Sequence, residues 1–307
     1  MTSHRKPVAI RPQAATTPQP SSESERGLQA WLGGWALALK RSIPAFVADH
    51  GLTLAAALSY YLVISLFPLT LLLLSISGLM LQDASAQGLI IRQVTQYLPG
   101  SESIVVQTMN TVILARGPLG WLAALGFLWT ALGMFSVIDQ AINTAWRVTT
   151  RRGYVHTKLI SLTMFGALSA LLLLSVAGAS ALRLIAASPF VARLESIPGG
   201  PWLWTVAGAS VSILGAAAGF ILLYRFLPSI PVRWAEVWPA GLLVAALWEA
   251  GKWGFLWYLS VADYSSVYGQ IGAVVALLVW GYFSGIVLIW GAELGSARAR
   301  ARRPHAR

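Results

Sequence analysis

The sequence predicts an all-α fold, a polytopic membrane helical bundle of six transmembrane helices with an N-terminal interfacial amphipathic helix. The first observation is composition: 56% of the 307 residues are hydrophobic and 11% are charged, whereas about 25% of a soluble domain is charged. The second is a set of apolar runs, each long enough to cross a hydrocarbon layer about 30 Å thick. These runs are 52–81, 118–141, 159–182, 202–227, 237–260 and 271–294. The third is an uneven distribution of Lys and Arg between the runs.

The N-terminal region divides into a tail and a helix. Residues 1–27 combine several prolines with polar and charged residues, which predicts a disordered cytoplasmic tail. Residues 28–48 have apolar side chains at helical spacing, which indicates the interfacial helix. These side chains are Leu28, Trp31, Leu32, Trp35, Leu39 and Ile43. The membrane domain is expected over residues 28–296, followed by a basic cytoplasmic tail at 297–307.

The first apolar run is longer than a membrane crossing requires. Its 30 residues correspond to about 45 Å of α-helix, so the helix must tilt, protrude or bend, and Pro68 is the expected place for a bend. The loop that follows, 82–117, has two short amphipathic stretches separated by Pro99 and Gly100. We expect this loop to lie on the outer membrane surface or to cap the bundle.

The basic residues predict the orientation of the chain. With the N-terminus inside, the inner segments hold 17 Lys and Arg and the outer segments hold 4. Because cytoplasmic loops carry the excess of basic residues, both termini are expected in the cytoplasm. The same distribution explains the formal net charge of +11 without a nucleic-acid partner. We therefore expect membrane lipids as partners and no nucleic acid.

Charged residues inside the apolar runs are the leading candidates for function, because a charge at the centre of a membrane helix costs about 2.5–3.5 kcal/mol. Glu249 lies about 18 Å along the fifth run, and Lys252 is three residues further, on the same face. One interpretation is a polar element facing a cavity, where Glu249 takes up a proton or cation and Lys252 attracts an anionic head group. The other is a structural ion pair that neutralises itself.

Further polar residues complete a candidate intramembrane path. Asp139 and Asn143 lie one turn apart near the inner end of the second run, and Glu293 lies in the last turn of the sixth run. Their shallow depth favours a structural role, and Glu293 could meet Arg298 or Arg300 there. Tyr60 and Tyr61 form a polar patch on the first run, although hydroxyls in membrane helices more often bond to neighbouring helices or to their own backbone.

The sixth run has two small-xxx-small pairs, Gly281 with Gly285 and Gly291 with Gly295. Such pairs allow close helix packing, either inside one bundle or at a homo-oligomer face. The chain has no cysteine and no phosphate-binding loop of the GxxxxGK[ST] type. We therefore expect no catalytic residues, no cofactor and no metal site.

Four stretches together resemble the YihY/BrkB family of bacterial inner-membrane proteins. They are GLTLAAALSYYLVISLFPL (51–69), FSVIDQAINTAWRV (135–148), LWEAGKWGFLWYLS (247–260) with YSSVYGQIGA (264–273), and WGYFSGIVLIWGAEL (280–294). The resemblance extends from about residue 28 to 294. It implies a six-helix protein of the bacterial cell inner membrane with links to envelope integrity, and it does not supply a reaction.

Some members of that family have carried the label of a tRNA-processing ribonuclease. A metal-dependent nuclease would need a cluster of His and Asp ligands. The four His of this chain are His4, His50, His156 and His305, which show no HxH or HExxH spacing. The sequence therefore argues against a nuclease, and we do not expect an enzyme.

Three functions agree with these features. The first is a transporter or flippase-like protein for a lipid or other amphiphile, with Glu249, Lys252, Asp139 and Glu293 along its path. The second is a non-transporting scaffold that organises envelope proteins through loop 82–117 and the basic tail. The third is an oligomeric channel.

Overall fold

The computed structural model describes residues 20–80, 118–150, 152–186, 200–261 and 272–302. Over these residues the chain forms seven α-helices and no strand. The helices are α1 Pro20–Ala48, α2 Gly51–Met80, α3 Pro118–Ala145, α4 Tyr154–Ala186, α5 Gly200–Phe226, α6 Trp234–Val261 and α7 Gly272–Arg302. The all-helical prediction is confirmed. The predicted outer loop 82–117 and the turn at 264–270 lie outside the described residues.

Five of the helices have the length and composition of membrane spans. They are α2, α3, α4, α5 and α7, with mean hydropathies of 1.6 to 2.2, and only 11% to 28% of each apolar stretch is buried inside the bundle. Most apolar side chains therefore point outward, as expected for helices whose surroundings are hydrocarbon. α6 has 28 residues, about 42 Å of helix, but it also carries Glu236, Glu249 and Lys252. Its crossing of the membrane, the sixth, stays a prediction.

Helix α7 lies at the centre of the bundle. It packs against α1, α2, α3, α5 and α6. Glycines make this possible: a Cβ at Gly285 would lie 2.9 Å from the Ala55 Cα of α2, and one at Gly295 would lie 3.6 Å from the Ala240 Cβ of α6. The two small-xxx-small pairs therefore serve packing inside one chain.

The remaining helices surround α7 on two sides. α2 and α3 pack together on one side, and α5 and α6 pack together on the other. α4 contacts both α3 and α5 and so connects the two pairs. This arrangement leaves a partly open space between the two pairs, which is the candidate site described below.

Helix α1 differs from its prediction in two respects. It begins at Pro20, so its first turns fall within the segment predicted to be disordered. Its buried face consists of Ala38, Ser42 and Phe46, whereas Ile43 of the predicted apolar stripe is 59% exposed. The buried face packs against α7, with Ala38 contacting a cluster that includes Leu294. The small side chains of Ala38 and Ser42, both 0% exposed, allow this close approach.

Two connections between helices use left-handed backbone conformations. His50, between α1 and α2, has φ 56°, and Arg147, just after α3, has φ 55°. Both residues end a helix in the αL conformation that commonly terminates helices. These turns place Asp49 and Arg147 at the same end of the bundle, where their side chains meet.

Candidate functional site

The bundle contains a cavity of about 430 Å³ between α2, α3, α4, α5, α6 and α7. Its size is within the range of small-molecule pockets. The lining residues are Leu58, Leu62, Met134, Phe135, Ile138, Phe165, Leu168, Ser169, Leu172, Phe220, Leu223, Trp248, Trp280, Gly281, Ser284, Gly285 and Leu288. Nearly all are apolar, so the cavity suits a hydrocarbon chain better than a polar substrate.

A hydrogen-bonded tryptophan forms the α6 wall of the cavity. The Trp248 indole N–H donates to the Ser284 hydroxyl at 3.1 Å, which satisfies its polar atom and holds α6 against α7. Its ring lies 5.6 Å from that of Trp280 and 6.3 Å from that of Phe220. The cavity wall is therefore a fixed set of aromatic rings from three helices.

The two charged residues of α6 lie next to Trp248. The Lys252 ammonium group is 2.7 Å from the Glu249 carboxylate. The Ser212 hydroxyl of α5 donates to Glu249 at 3.1 Å, and Lys252 lies 3.0 Å from the same hydroxyl. The Lys252 ammonium group also lies 5.0 Å from the centre of the Trp248 ring. Glu249 and Lys252 thus form a closed polar triad with Ser212, and this triad lies against Trp248, which lines the cavity.

Partial exposure distinguishes this triad from a sealed structural pair. The Lys252 side chain is 30% exposed and that of Glu249 is 13% exposed. The Lys252 side chain is therefore only part-buried in the triad. The sequence identified Glu249 and Lys252, but Ser212 was not singled out because a lone serine in an apolar helix has no distinguishing pattern.

Asn143 forms hydrogen bonds that join two segments of the bundle. It is 1% exposed, accepts a hydrogen bond from the Ser229 backbone N–H at 2.8 Å and donates to the Asp139 carbonyl at 2.9 Å. It therefore joins the end of α3 to the connection between α5 and α6. Asp139 is half-buried, and neither residue is among those lining the cavity, which α3 reaches through Ile138.

The two neighbouring tyrosines of α2 differ in their surroundings. Tyr60 is 58% exposed on the outside of the bundle, whereas Tyr61 packs over Gly133 of α3. The two rings meet edge to face with centroids 5.8 Å apart. Neither lines the cavity, which α2 reaches through Leu58 and Leu62, so the tyrosines contribute to packing.

Glu293 belongs to a second charged cluster, at the end of the bundle where α1 joins α2. It is 1% exposed, and its carboxyl group lies beside that of Asp49. Arg147 binds the other side of Asp49, with its guanidinium nitrogen 2.6 Å from the carboxylate. Arg300, which the sequence suggested as a partner of Glu293, donates a hydrogen bond to the Ala145 carbonyl at 3.1 Å and adds positive charge near both carboxyl groups.

This cluster changes the acidity of the groups at the helix junctions. Burial acts to raise the pKa of Asp49, but its hydrogen bonds with Glu293 and Arg147 and the charges of Arg147 and Arg300 lower that pKa below its usual value. The hydrogen bond with Asp49 raises the pKa of Arg147. Asp49 and Arg147 were not singled out from the sequence because they are 98 residues apart and each resembles an ordinary charge at a helix end.

Within the described ranges, no group of three His, Asp or Glu side chains is placed to hold a metal ion. The features that the structure brings together are an apolar cavity, a polar triad beside it and a charged cluster at one end. They define a multi-span helical membrane protein with a partly open apolar cavity between its helices.

The sequence model of the family described as Virulence factor BrkB matches residues 42–307, so the chain belongs to this family. The chain is 30% identical over 279 residues to a UPF0761 membrane protein of Alkalilimnicola ehrlichii, covering 83% of this chain and 56% of that protein. It is 29% identical over 269 residues to the putative ribonuclease-like protein YfkH of Bacillus subtilis, covering 84% and 94%.

A UPF0761 membrane protein of Xanthomonas oryzae is 29% identical over 259 residues, covering 84% of this chain and 59% of the relative. The chain thus spans less than three-fifths of the length of the two UPF0761 proteins. No solved structure matches the chain significantly. The family resemblance seen in the sequence is confirmed.

Proposed function

We propose that this protein binds a lipid or a similar amphiphile in its apolar cavity and moves it across the bacterial inner membrane. This movement would contribute to maintenance of the cell envelope. The observation that carries the proposal is the partly open apolar cavity of about 430 Å³ that six helices line. A cavity of this composition gives an acyl chain surroundings as apolar as the bilayer itself. The chain of a lipid can therefore enter it without a large change in free energy.

The polar part of an amphiphile needs a different environment, because a charged head group in hydrocarbon costs several kcal/mol. The triad of Glu249, Lys252 and Ser212 supplies it. Lys252 is part-exposed and lies against Trp248, which lines the cavity. An anionic head group would replace Glu249 as the partner of Lys252 while the acyl chain occupies the cavity. The pair thus lowers the barrier at the depth where charge is most costly.

Filling the cavity tests this function. Ser169 of α4 lines the cavity, and the neighbouring Ala170 is exposed on the outer face of the same helix. In proteoliposomes with a fluorescent anionic phospholipid, we expect Ser169→Phe to slow transbilayer movement at least several-fold. Ala170→Phe, the matched control, should retain the wild-type rate because it adds the same ring outside the bundle.

Other outcomes separate this function from the alternatives. Equal rates in the two variants would mean that the cavity does not carry the lipid. If the wild-type protein moves no amphiphile but still rescues an envelope-stress defect in a deletion strain, it acts as a scaffold. Ion conductance by the same proteoliposomes would instead indicate a channel.

A further inference from the structure

A second, separate site lies at the end of the bundle where α1 joins α2. The turn between α1 and α2 brings Asp49 beside Arg147, which follows α3, and beside Glu293 of α7. Three segments that are distant in sequence therefore converge on two carboxyl groups. This site does not depend on the proposed function, since none of its residues lines the cavity.

Both carboxyl groups have a buried oxygen without a donor. Glu293 is 1% exposed, yet its Oε2 accepts no hydrogen bond from any donor group in the described residues. Asp49 uses Oδ1 to bind Arg147, while its Oδ2 is buried and likewise receives no donor among those residues. A buried acceptor without a donor costs about 1–3 kcal/mol, and more when the group is charged. Two such oxygens in neighbouring carboxyl groups point to a missing hydrogen between them.

A hydrogen bond between two carboxyl groups requires one proton, because two carboxylates have only acceptors. The carboxyl groups of Asp49 and Glu293 are neighbours and each has a buried oxygen without a donor, so this requirement applies to them. Two carboxylates in contact also repel each other, which favours retention of one proton by the pair. We propose that Asp49 and Glu293 form a proton-binding site that holds one shared proton at neutral pH.

The neighbouring charges decide which group carries the proton. Arg147 binds Asp49 directly, with its guanidinium nitrogen 2.6 Å from the carboxylate, so Asp49 is the anion and Glu293 the acid that donates to it. Arg300 faces the pair from α7, but its guanidinium is held by the Ala145 carbonyl, and Arg41 of α1 adds positive charge near Arg300. These arginines set the pH at which the proton leaves.

Loss of the proton has a structural consequence. Two adjacent negative charges would then lie against each other in a buried contact between the α1–α2 turn and α7, and their repulsion weakens that contact. The site therefore links the protonation of one carboxyl pair to the docking of the turn on the central helix.

Infrared difference spectroscopy of the full chain in lipid nanodiscs tests the proposal. At neutral pH we expect a carbonyl band of a protonated carboxylic acid that shifts in D₂O and disappears as the pH is raised. Incorporation of glutamate labelled with ¹³C at the side-chain carboxyl should shift this band in the unmutated protein, whereas labelled aspartate should leave it in place.

Two substitutions assign the band. Glu293→Gln should abolish it, and the control Glu236→Gln should leave it unchanged, because buried Glu236 already accepts a hydrogen bond from the Arg233 backbone N–H at 3.0 Å. The absence of a protonated-acid band at neutral pH would overturn the proposal. So would a band that survives Glu293→Gln or that glutamate labelling does not move, and the labelling result holds even if Glu293→Gln fails to fold.

Discussion

The charged residues of this bundle are stabilised by direct partners from other parts of the chain. Glu249 and Lys252 share Ser212 of α5, and Asp49 contacts residues from α3 and α7. Such contacts are expected, because a buried charge without a partner is far more costly than a paired one. These partners also explain why Glu249 and Lys252 are compatible with insertion of α6 into the membrane, because each charge is paired with a polar group of the protein.

At the residue scale, we predict that the α6 charges are coupled. Glu249→Gln or Lys252→Met alone leaves the other charge half-buried without its partner and should destabilise the bundle by about 1–3 kcal/mol. The double variant should recover most of this loss, because two neutral groups can replace a buried ion pair at little cost. Thermal unfolding in detergent measures the stability of all four proteins.

Lipid movement by the same variants separates structure from function. If Lys252 binds the head group, the double variant should be stable yet at least as slow as either single variant. A double variant that is both stable and fully active would show that the pair is a structural bridge. The scaffold function would then be favoured over lipid transport.

At the element scale, glycine positions decide how closely α7 approaches its neighbours. A Cβ at Gly285 would lie within 3.1 Å of two further Ala55 atoms as well as 2.9 Å from its Cα. Backbone cannot move aside as a flexible side chain can, so helix α2 or α7 would have to shift. Gly166 of α4 is also helical, but a Cβ there would meet no atom within 4 Å.

These two glycines make a matched pair of substitutions. Gly285→Ala should destabilise the protein by about 1–3 kcal/mol because it overpacks the α2–α7 contact. Gly166→Ala should be neutral or stabilise by up to about 1 kcal/mol, the difference in helix propensity. Parallel thermal unfolding tests this, and equal stabilities would mean that the α2–α7 contact is looser than described.

The buried face of helix α1 was harder to predict than the existence of the helix. The apolar stripe of α1 was assigned to Leu39 and Ile43, but the face of Ala38, Ser42 and Phe46 is buried. Helical spacing alone cannot choose between these faces, because a large apolar side chain can contact lipid while a small one contacts a helix. The choice is made by the packing of α1 against α7, where Ala38 contacts Leu294 and Ala297.

At the scale of the whole molecule, the bundle exposes apolar surface outward and places its polar contacts inside. Trp121 and Leu174 are 76% and 70% exposed, whereas Asn143 and Glu293 are 1% exposed. In water this distribution would be unfavourable, but in a bilayer it places polar groups away from hydrocarbon. Helix α6 shares this distribution, since Trp253 and Trp257 are 68% and 69% exposed, which agrees with its proposed crossing.

Reporter fusions test the proposed orientation of the whole chain. Junctions after residues 100, 152, 192, 232, 265 and 307 should alternate outside, inside, outside, inside, outside and inside, because 17 of the basic residues lie in the inner segments. The junctions at 232 and 265 decide whether α6 crosses. An extracytoplasmic signal at 307, or the same side at 232 and 265, would contradict the six-span topology.

The sequence by itself determined the helical membrane class, the family and the positions of the long helices, because these depend on local hydrophobicity and on helix length. It also identified Glu249, Lys252 and Glu293 as unusual, since charge in an apolar run is visible without a fold. Tertiary structure alone decided that Ser212 joins the α6 pair and that Glu293 lies beside Asp49. Such contacts join residues far apart in the chain, and their partners follow from how α7 packs against the other helices.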